Sequence, residues 1–276
     1  MNPYWHQKTV LITGAASGIG KGLATEMIRR GAKVWLADIN PQVQQVADAL
    51  GDRARFLVFD VADFAAWKQA VEQVISRDGP LDFLFNNAGV GFGCDAVDLT
   101  PEHYERYIDV NLRSVTHSIA LVYPMMVARG CGTIVNTASM GGLIPSALMA
   151  PYAMTKHAVV GLSESLRLEA KHKGVSIITL CPGAVNTPIF DSTGMTGLPV
   201  RRATDLRAYA REKDTSCTPQ QFAVNALNDI EKNKTLIMYP RLMRLVVWIY
   251  RYCPPLYRLL TEPNLNSELK RLNNPG

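Results

Sequence analysis

The sequence predicts a single α/β domain built on one doubly wound, mainly parallel sheet flanked by helices. Three observations carry that prediction. Short β-branched runs alternate with longer helical stretches, the runs are apolar throughout, and a glycine-rich turn joins the first run to the first helix. Strands buried on both faces read as unbroken apolar runs, and parallel neighbours need a crossover long enough to hold a helix. With 276 residues, 47% of them hydrophobic and 19% charged, the chain can fill the core of one such domain.

The expected strands, in order, are 9–13 (TVLIT), 33–38 (KVWLAD), 54–60 (ARFLVFD), 81–87 (LDFLFNN), 132–139 (GTIVNTAS) and 175–183 (VSIITLCPG). Helix signals fall between them. In LTPEHYERYIDVN, Thr100 is the expected N-cap and Pro101 the first helical residue, where a missing N–H costs nothing. No internal repeat or low-complexity tract interrupts the pattern. We divide the chain into a body of residues 1–240, with a substrate loop at about 188–218, and a C-terminal extension of residues 241–276.

Composition excludes several classes. The formal net charge is +5, but Arg241 to Gly276 carries six basic residues against two acids, so the body is almost neutral and offers no nucleic-acid footprint. Cys94, Cys131, Cys181, Cys217 and Cys253 are scattered, without CxxC or metal spacing, as reduced thiols of a cytoplasmic protein are; neither disulfide nor metal is expected. The N-terminal segment MNPYWHQKTVLITG lacks the basic start and long apolar stretch of a secretion signal.

Chemistry concentrates at the strand ends. TGAASGIG places Gly14, Gly18 and Gly20 between the first strand and its helix, where a tight turn and free helix N–H groups suit a pyrophosphate. Asp38 ends the next strand, near the distance at which an acid bonds an adenosine ribose. Such an acid repels a 2′-phosphate and Ser17 offers no compensating cation, so NAD is expected rather than NADP. FNNAG, NTAS and CPGAVNTP end the later strands, and ligands bind open parallel sheets outside their carboxyl ends. Tyr152 and Lys156, in YAMTK, follow Ser139. The same Tyr–Lys spacing recurs at Tyr4/Lys8 and Tyr209/Lys213, but neither pair has a comparable strand end beside it.

Taken together, Thr13-Gly14-x-x-x-Gly18-x-Gly20, Asn86-Asn87-Ala88-Gly89, Asn111, Ser139, Tyr152-x-x-x-Lys156 and Pro182-Gly183 resemble the short-chain dehydrogenase/reductase family over roughly residues 8–190. The resemblance implies a Rossmann fold, hydride transfer between a nicotinamide and an alcohol or carbonyl, and a homodimer or homotetramer. It implies catalytic roles for Asn111, Ser139, Tyr152 and Lys156. Cofactor contacts are expected from Gly14, Ser17, Gly18, Ile19, Gly20, Asp38, Asp60, Val61, Asn87, Ala88, Gly89, Tyr152, Lys156, Val185 and Thr187. Met154 and Thr155 depart from the small residue and serine often found before the lysine.

A phenol has a pKa of about 10, and bringing it near 7 requires about 4 kcal/mol. An ammonium at about 4 Å supplies on the order of that at an effective dielectric near 20. Lys156 is expected to hold the nicotinamide ribose, Ser139 the substrate oxygen, and Asn111 a water path, as the resemblance implies. Phe92, Met140, Leu143, Ile144, Leu148, Met149, Ile189, Phe190, Met195 and Leu198 form the expected substrate pocket, which favours hydrophobic secondary alcohols or ketones of steroid, retinoid or fatty-alcohol type. Arg201, Arg202 and Arg207 leave open a 3-oxoacyl thioester. A non-catalytic dinucleotide-binding protein recruited through its tail is the alternative of another class.

The tail RLMRLVVWIYRYCPPLYRLL is too interrupted by arginines, and by Pro254-Pro255, to cross a membrane. Arg241, Arg244 and Arg251 lie on one side of a helical wheel, with Leu242, Val246 and Ile249 on another. Such a helix suits peripheral membrane contact, or packing over the substrate mouth or a neighbouring subunit.

Overall fold

Seven strands form the central sheet of the computed structural model, which describes residues 3–192, 194–195, 197–211 and 217–273. They are β1 (Thr9–Thr13), β2 (Lys33–Asp38), β3 (Ala54–Val58), β4 (Phe83–Asn86), β5 (Gly132–Thr137), β6 (Val175–Pro182) and β7 (Leu236–Tyr239). Their spatial order is β7-β6-β5-β4-β1-β2-β3 and every neighbouring pair is parallel. The helices are α1 (Gly18–Arg29), α2 (Val43–Leu50), α3 (Phe64–Asp78), α4 (Pro101–Ile108), α5 (Ser114–Arg129), α6 (Ala150–Ala170), α7 (Leu206–Arg211), α8 (Pro219–Glu231), α9 (Met243–Tyr252) and α10 (Pro254–Asn273).

Alternate strand residues point to opposite faces, and each face meets a helical layer. Val10, Ile12, Val34 and Leu36 pack with Leu23 and Met27 of α1, Val43 of α2, and Phe222 and Leu227 of α8. Leu11 and Trp35 pack with Trp67 of α3, Val122 and Met126 of α5, and Leu166 of α6. Two covered faces explain why the central runs are apolar at every position. The edge strand β3 is the exception: Phe56 and Val58 are exposed, so burial on both faces does not extend to that run.

Six strands lie where the sequence places them, but four end earlier than expected because the chain leaves the sheet towards a common crevice. β7 was not anticipated. Its four residues follow the polar stretch EKNKT and stop at Pro240, leaving too little pattern to read; pairing of Leu236–Tyr239 with Thr179–Pro182 defines it. Helix starts follow side-chain chemistry. Asp63 caps α3 by accepting from the backbone N–H groups of Ala65 (2.8 Å) and Ala66 (3.2 Å). Thr100 caps α4 with Pro101 at its first position, as expected, and the Thr100 N–H donates to His103 Nδ1 at 3.1 Å.

Between α4 and α5 the helix widens into a π-turn over Asp109–Arg113, which carries Asn111. Pro254 and Pro255 do end one helix, yet they also open the next, since a proline is tolerated in the first turn. Among the described residues, no helix is long and apolar enough to cross a membrane.

A buried polar chain crosses the sheet between α5 and α6. Ser118 Oγ donates to Asn86 Oδ1 (2.7 Å), Asn86 Nδ2 to Asn136 Oδ1 (2.8 Å), and Asn136 Nδ2 to Ser163 Oγ (2.9 Å). Asn136→Ala breaks two of these bonds and strands the Asn86 amide, which should cost about 1–3 kcal/mol in urea unfolding. A change below a few tenths would show that the chain carries no stability.

Candidate active site

The crevice begins where β1 and β4 end, and the two ends are tied together. Thr13 Oγ1 accepts from the backbone N–H groups of Asn87 and Ala88, both at 3.0 Å, while Asn87 Nδ2 donates to the Thr13 carbonyl at 3.0 Å. Gly14 sits in the left-handed region (φ +66°), and a Cβ there would lie 2.8 Å from Ala88 Cα. A Cβ on Gly20 would lie 2.0 Å from the Gly14 carbonyl oxygen. Gly20 therefore serves the turn from behind and does not reach the crevice. Ser17 stands at the N-cap of α1 in extended conformation with no side-chain capping bond, so it leaves the first-turn N–H groups to another acceptor.

Asp38 bends over this loop. Its Oδ2 accepts from the Ala16 N–H and its Oδ1 from the Asn40 N–H, both at 2.9 Å. The carboxylate keeps further lone pairs for a ribose diol. The nearby cation on the wall, Arg106, faces Asp60 at 3.7 Å rather than Asp38. A pyrophosphate-sized cradle, an uncapped helix start and an acid at the ribose position fit NAD.

One cavity of about 1610 Å³ runs from this loop past the ends of β4, β5 and β6. Gly14, Ser17, Gly18, Ile19, Asp38, Asp60, Val61, Asn87, Ala88, Gly89, Val185 and Thr187 line it, together with Ser139, Tyr152 and Lys156. Asn111 does not. Its Oδ1 accepts from the Val90 N–H (2.8 Å), and its Nδ2 donates to the Val90 carbonyl (3.0 Å) and to Thr155 Oγ1 (3.2 Å). Both amide hydrogens are thus spent behind Gly89. Thr155, which stands where a serine is often found, is the side chain to which Asn111 donates.

Lys156 differs from its expected setting. Its ammonium is buried, donates to the Thr137 carbonyl at 2.9 Å, and stands 5.7 Å from the centre of the Tyr152 ring. Burial lowers its pKa to about 8. Burial likewise raises the Tyr152 phenol above its ordinary value, with a hydrogen bond to Ser139 pulling the other way. The expected lowering by a lysine about 4 Å away is therefore not what these residues achieve alone. Beneath them the Cys181 thiol is pushed up to about 12 by burial, which keeps it neutral.

The Tyr4–Lys8 pair has no such site. Tyr4 packs on Trp5 and Phe83 while Lys8 pairs with Asp82, and Lys213 of the third pair lies outside the described residues.

With this geometry established, comparison with known proteins identifies the chain. The family model for short chain dehydrogenases matches residues 8–196. The chain belongs to the short-chain dehydrogenase/reductase family. It is accordingly an oxidoreductase of CH–OH groups, and its donor set suits NAD. It is 38% identical over 189 residues to the oxidoreductase UcpA of Escherichia coli K12, covering 67% of this chain and 72% of UcpA. Identity to a cyclohexanol dehydrogenase of Acinetobacter sp. strain SE19 is 40% over 194 residues, covering 68% and 77%. A family member from Burkholderia phymatum, solved in complex with NAD, superposes with a TM-score of 0.82 at 26% identity, covering 91% of this chain and 95% of that one.

The far end of this cavity draws on residues both before and after Pro182-Gly183. Met140, Ile144, Met149, Ile189, Phe190 and Met195 line it as expected. Phe92, Leu143, Leu148 and Leu198 do not: Phe92 is core, packed on Tyr107 and His103, and Leu198 pairs with Met195 in a two-stranded turn. Arg202 donates to Asp98 at 2.8 Å, and Arg207 donates to Asn186 at 2.8 Å and to Asp191. None of the three arginines lines the cavity. The remaining wall comes from α9 and α10, the packing over the substrate mouth that the tail's amphipathic pattern allowed, with Met243, Val246, Tyr250, Tyr257 and Leu265 facing inward beside Arg251 and Arg258. Tyr257 Oη fastens this wall by donating to the Pro145 carbonyl at 3.1 Å. The amphipathic pattern was the available signal, but the wheel alone does not say which face turns in.

The buried ammonium gives a pH signature. The folded protein holds the Lys156 proton less tightly than the unfolded chain does, with a pKa of about 8 against 10.5. Stability therefore rises with pH across that window, by about 3 kcal/mol in full. Unfolding of the wild type and Lys156→Met, compared from about pH 7 to about pH 10, should show the wild type gaining on the variant. Parallel curves would contradict the burial cost.

Proposed function

We propose that the protein interconverts a hydrophobic secondary alcohol and its ketone with NAD(H), using Tyr152 as general acid and base. The observation that carries this reading is one cavity with three successive linings: the Gly14–Asp38 cradle, the Ser139–Tyr152–Lys156 cluster, and a largely apolar end bordered by Arg251 and Arg258. Steroid-like, retinoid-like or fatty alcohols match that end. The likeness to a cyclohexanol dehydrogenase supports a secondary alcohol.

In the oxidative direction Tyr152 Oη takes the hydroxyl proton while Ser139 holds the substrate oxygen; in reduction the proton returns. Lowering the phenol to near neutrality needs about 4 kcal/mol. An ammonium 5.7 Å from the ring centre gives about 3 kcal/mol at an effective dielectric near 20, before burial is subtracted. Bound NAD⁺ supplies the hydride acceptor and a positive ring that makes up the shortfall. Lys156 keeps two ammonium hydrogens for the nicotinamide ribose while its third anchors to Thr137. Asn111, with its amide hydrogens committed to Val90 and Thr155, fixes the backbone beside Lys156 and has one oxygen lone pair for a water.

Arg202 and Arg207 offer nothing to an acyl thioester, being engaged with Asp98, Asp191 and Asn186 and absent from the cavity lining, so that second reading rests on Arg251 and Arg258, which do line the cavity. A vestigial site would have no need to keep Ser139, Tyr152, Lys156 and Asn111 together. The same proposal divides the chain into a catalytic body of residues 1–240 and an extension of residues 241–276. It places the protein in the cytoplasm as a homodimer or homotetramer, and Met125 of α5 with Met154 and Leu168 of α6 provides exposed apolar surface for assembly.

A screen of cyclic, steroidal and long-chain alcohols, followed by NADH absorbance, should find turnover that Tyr152→Phe abolishes while NADH binding stays within about twofold. Loss of turnover by ~10⁴ matches removal of the general base; a variant that retained full activity would end the proposed role. Asp38→Ser should cut the preference for NADH over NADPH by at least ~10-fold, or ~1.4 kcal/mol. An unchanged preference would move cofactor choice elsewhere.

A further inference from the structure

The C-terminal helices have an inward face that walls the cavity and an outward face that does not, with Arg251, Arg258 and Leu260 at the border between them. Seven of the fifteen large exposed apolar side chains among the described residues fall between Leu242 and Leu260. On α9, Met243, Val246 and Tyr250 turn inward, whereas Leu245 (53% exposed), Trp248 (56%) and Tyr252 (67%) form the opposite stripe. On α10, Tyr257 and Leu265 turn inward, while Leu256 and Leu259 (70%) continue the outer stripe. The rings of Trp248 and Tyr252 lie 5.6 Å apart in solvent. An apolar concentration of this kind is more than scattered surface hydrophobicity and marks a contact surface.

Charge decides what the surface contacts. Arg244, Arg251 and Arg258, spaced seven residues apart, are exposed beside the stripe, Arg251 and Arg258 at the border where they also line the cavity, and among the described residues none of them pairs with a carboxylate. A second copy docked on this face about a two-fold axis would set these arginines against their own kind. Phosphate groups would instead satisfy them. Tryptophan and tyrosine beside leucines, flanked by arginines, are the composition of a helix lying at a lipid–water boundary.

We propose that the outer face of α9 and α10 binds the surface of an anionic phospholipid bilayer. Leu245, Trp248, Tyr252 and Leu259 enter the acyl boundary, and Arg244, Arg251 and Arg258 meet lipid phosphates. The same helices wall the cavity, so its mouth adjoins the lipid and a lipophilic alcohol can pass between them without crossing water. This last step rests on the proposed function; the lipid contact does not.

Sedimentation of the full chain with phosphatidylcholine vesicles, and with vesicles of equal parts phosphatidylcholine and phosphatidylglycerol, tests the contact. Binding is expected on the anionic vesicles, weaker on the neutral ones and reduced by salt. Trp5, Trp35 and Trp67 are buried, so a blue shift of emission on binding reports Trp248. Leu245→Ser/Leu259→Ser should weaken vesicle binding at least ~10-fold, and Arg244→Gln about fivefold, with NADH binding unchanged in both. Failure of the full chain to sediment with anionic vesicles, or equal sedimentation of the variants, would overturn the proposal. So would light scattering that showed a dimer lost in Leu245→Ser/Leu259→Ser, which would give the face to a second copy. NADH binding is read separately, so an absent turnover would sink the enzymatic reading and leave the lipid result standing.

Discussion

The tie between the carboxyl ends of β1 and β4 is the constraint on which the rest of the site depends. Sheet order reverses there, and the Thr13 hydroxyl accepts two backbone N–H groups from the opposite strand end. A side chain at Gly14 would press against Ala88, and one at Gly20 would overlap the Gly14 carbonyl. The loop therefore has one place to go, and α1 starts with its N-terminus aimed across the crevice. Asp38 secures the outer side of the same loop through the Ala16 N–H. A ligand cradle results from backbone proximity before any ligand chemistry is considered.

Reactivity is organised on the other side of that crevice by burial working against charge. Lys156 and Tyr152 are each pushed towards their neutral forms. The lysine is held by a carbonyl and both groups are buried, so neither relaxes by turning to solvent. A site in this condition is weakly basic until positive charge arrives beside the phenol. Behind it, the π-turn turns Asn111 onto Val90 and Thr155, which makes the wall rigid without occupying the cavity.

Much of this was legible in the sequence, for reasons that differ between elements. The central strands are covered on both faces, so they had to be apolar throughout. The glycine positions were readable because sterics leave no substitute, and Asp38 because its distance from Gly14 is set by one helix and one strand. Asn111 was named without its setting, since a π-turn leaves no pattern in composition. Phe92 looked like pocket and proved to be core, because an apolar side chain carries no mark of which it lines. Arg202 and Arg207 looked available, yet Asp98 and Asp191 lie 104 and 16 residues away in sequence, and only folding brings them together. β7 was missed for a related reason, being defined by what it packs against; the tail's packing over the mouth was among the expectations, but not which of its faces turns in.

The hydrogen bond from Tyr257 to the Pro145 carbonyl joins two parts of the chain with unequal freedom to change. On one side, the reacting groups are locked by backbone distances that admit almost no alternative residues. On the other, the wall is made of ordinary helical side chains on an extension whose internal order makes few demands. Drift in the extension can then alter which molecules are accepted while the hydride chemistry is inherited intact. A lineage carrying this architecture can acquire new substrates by mutating its last thirty or so residues, without rebuilding the reaction itself.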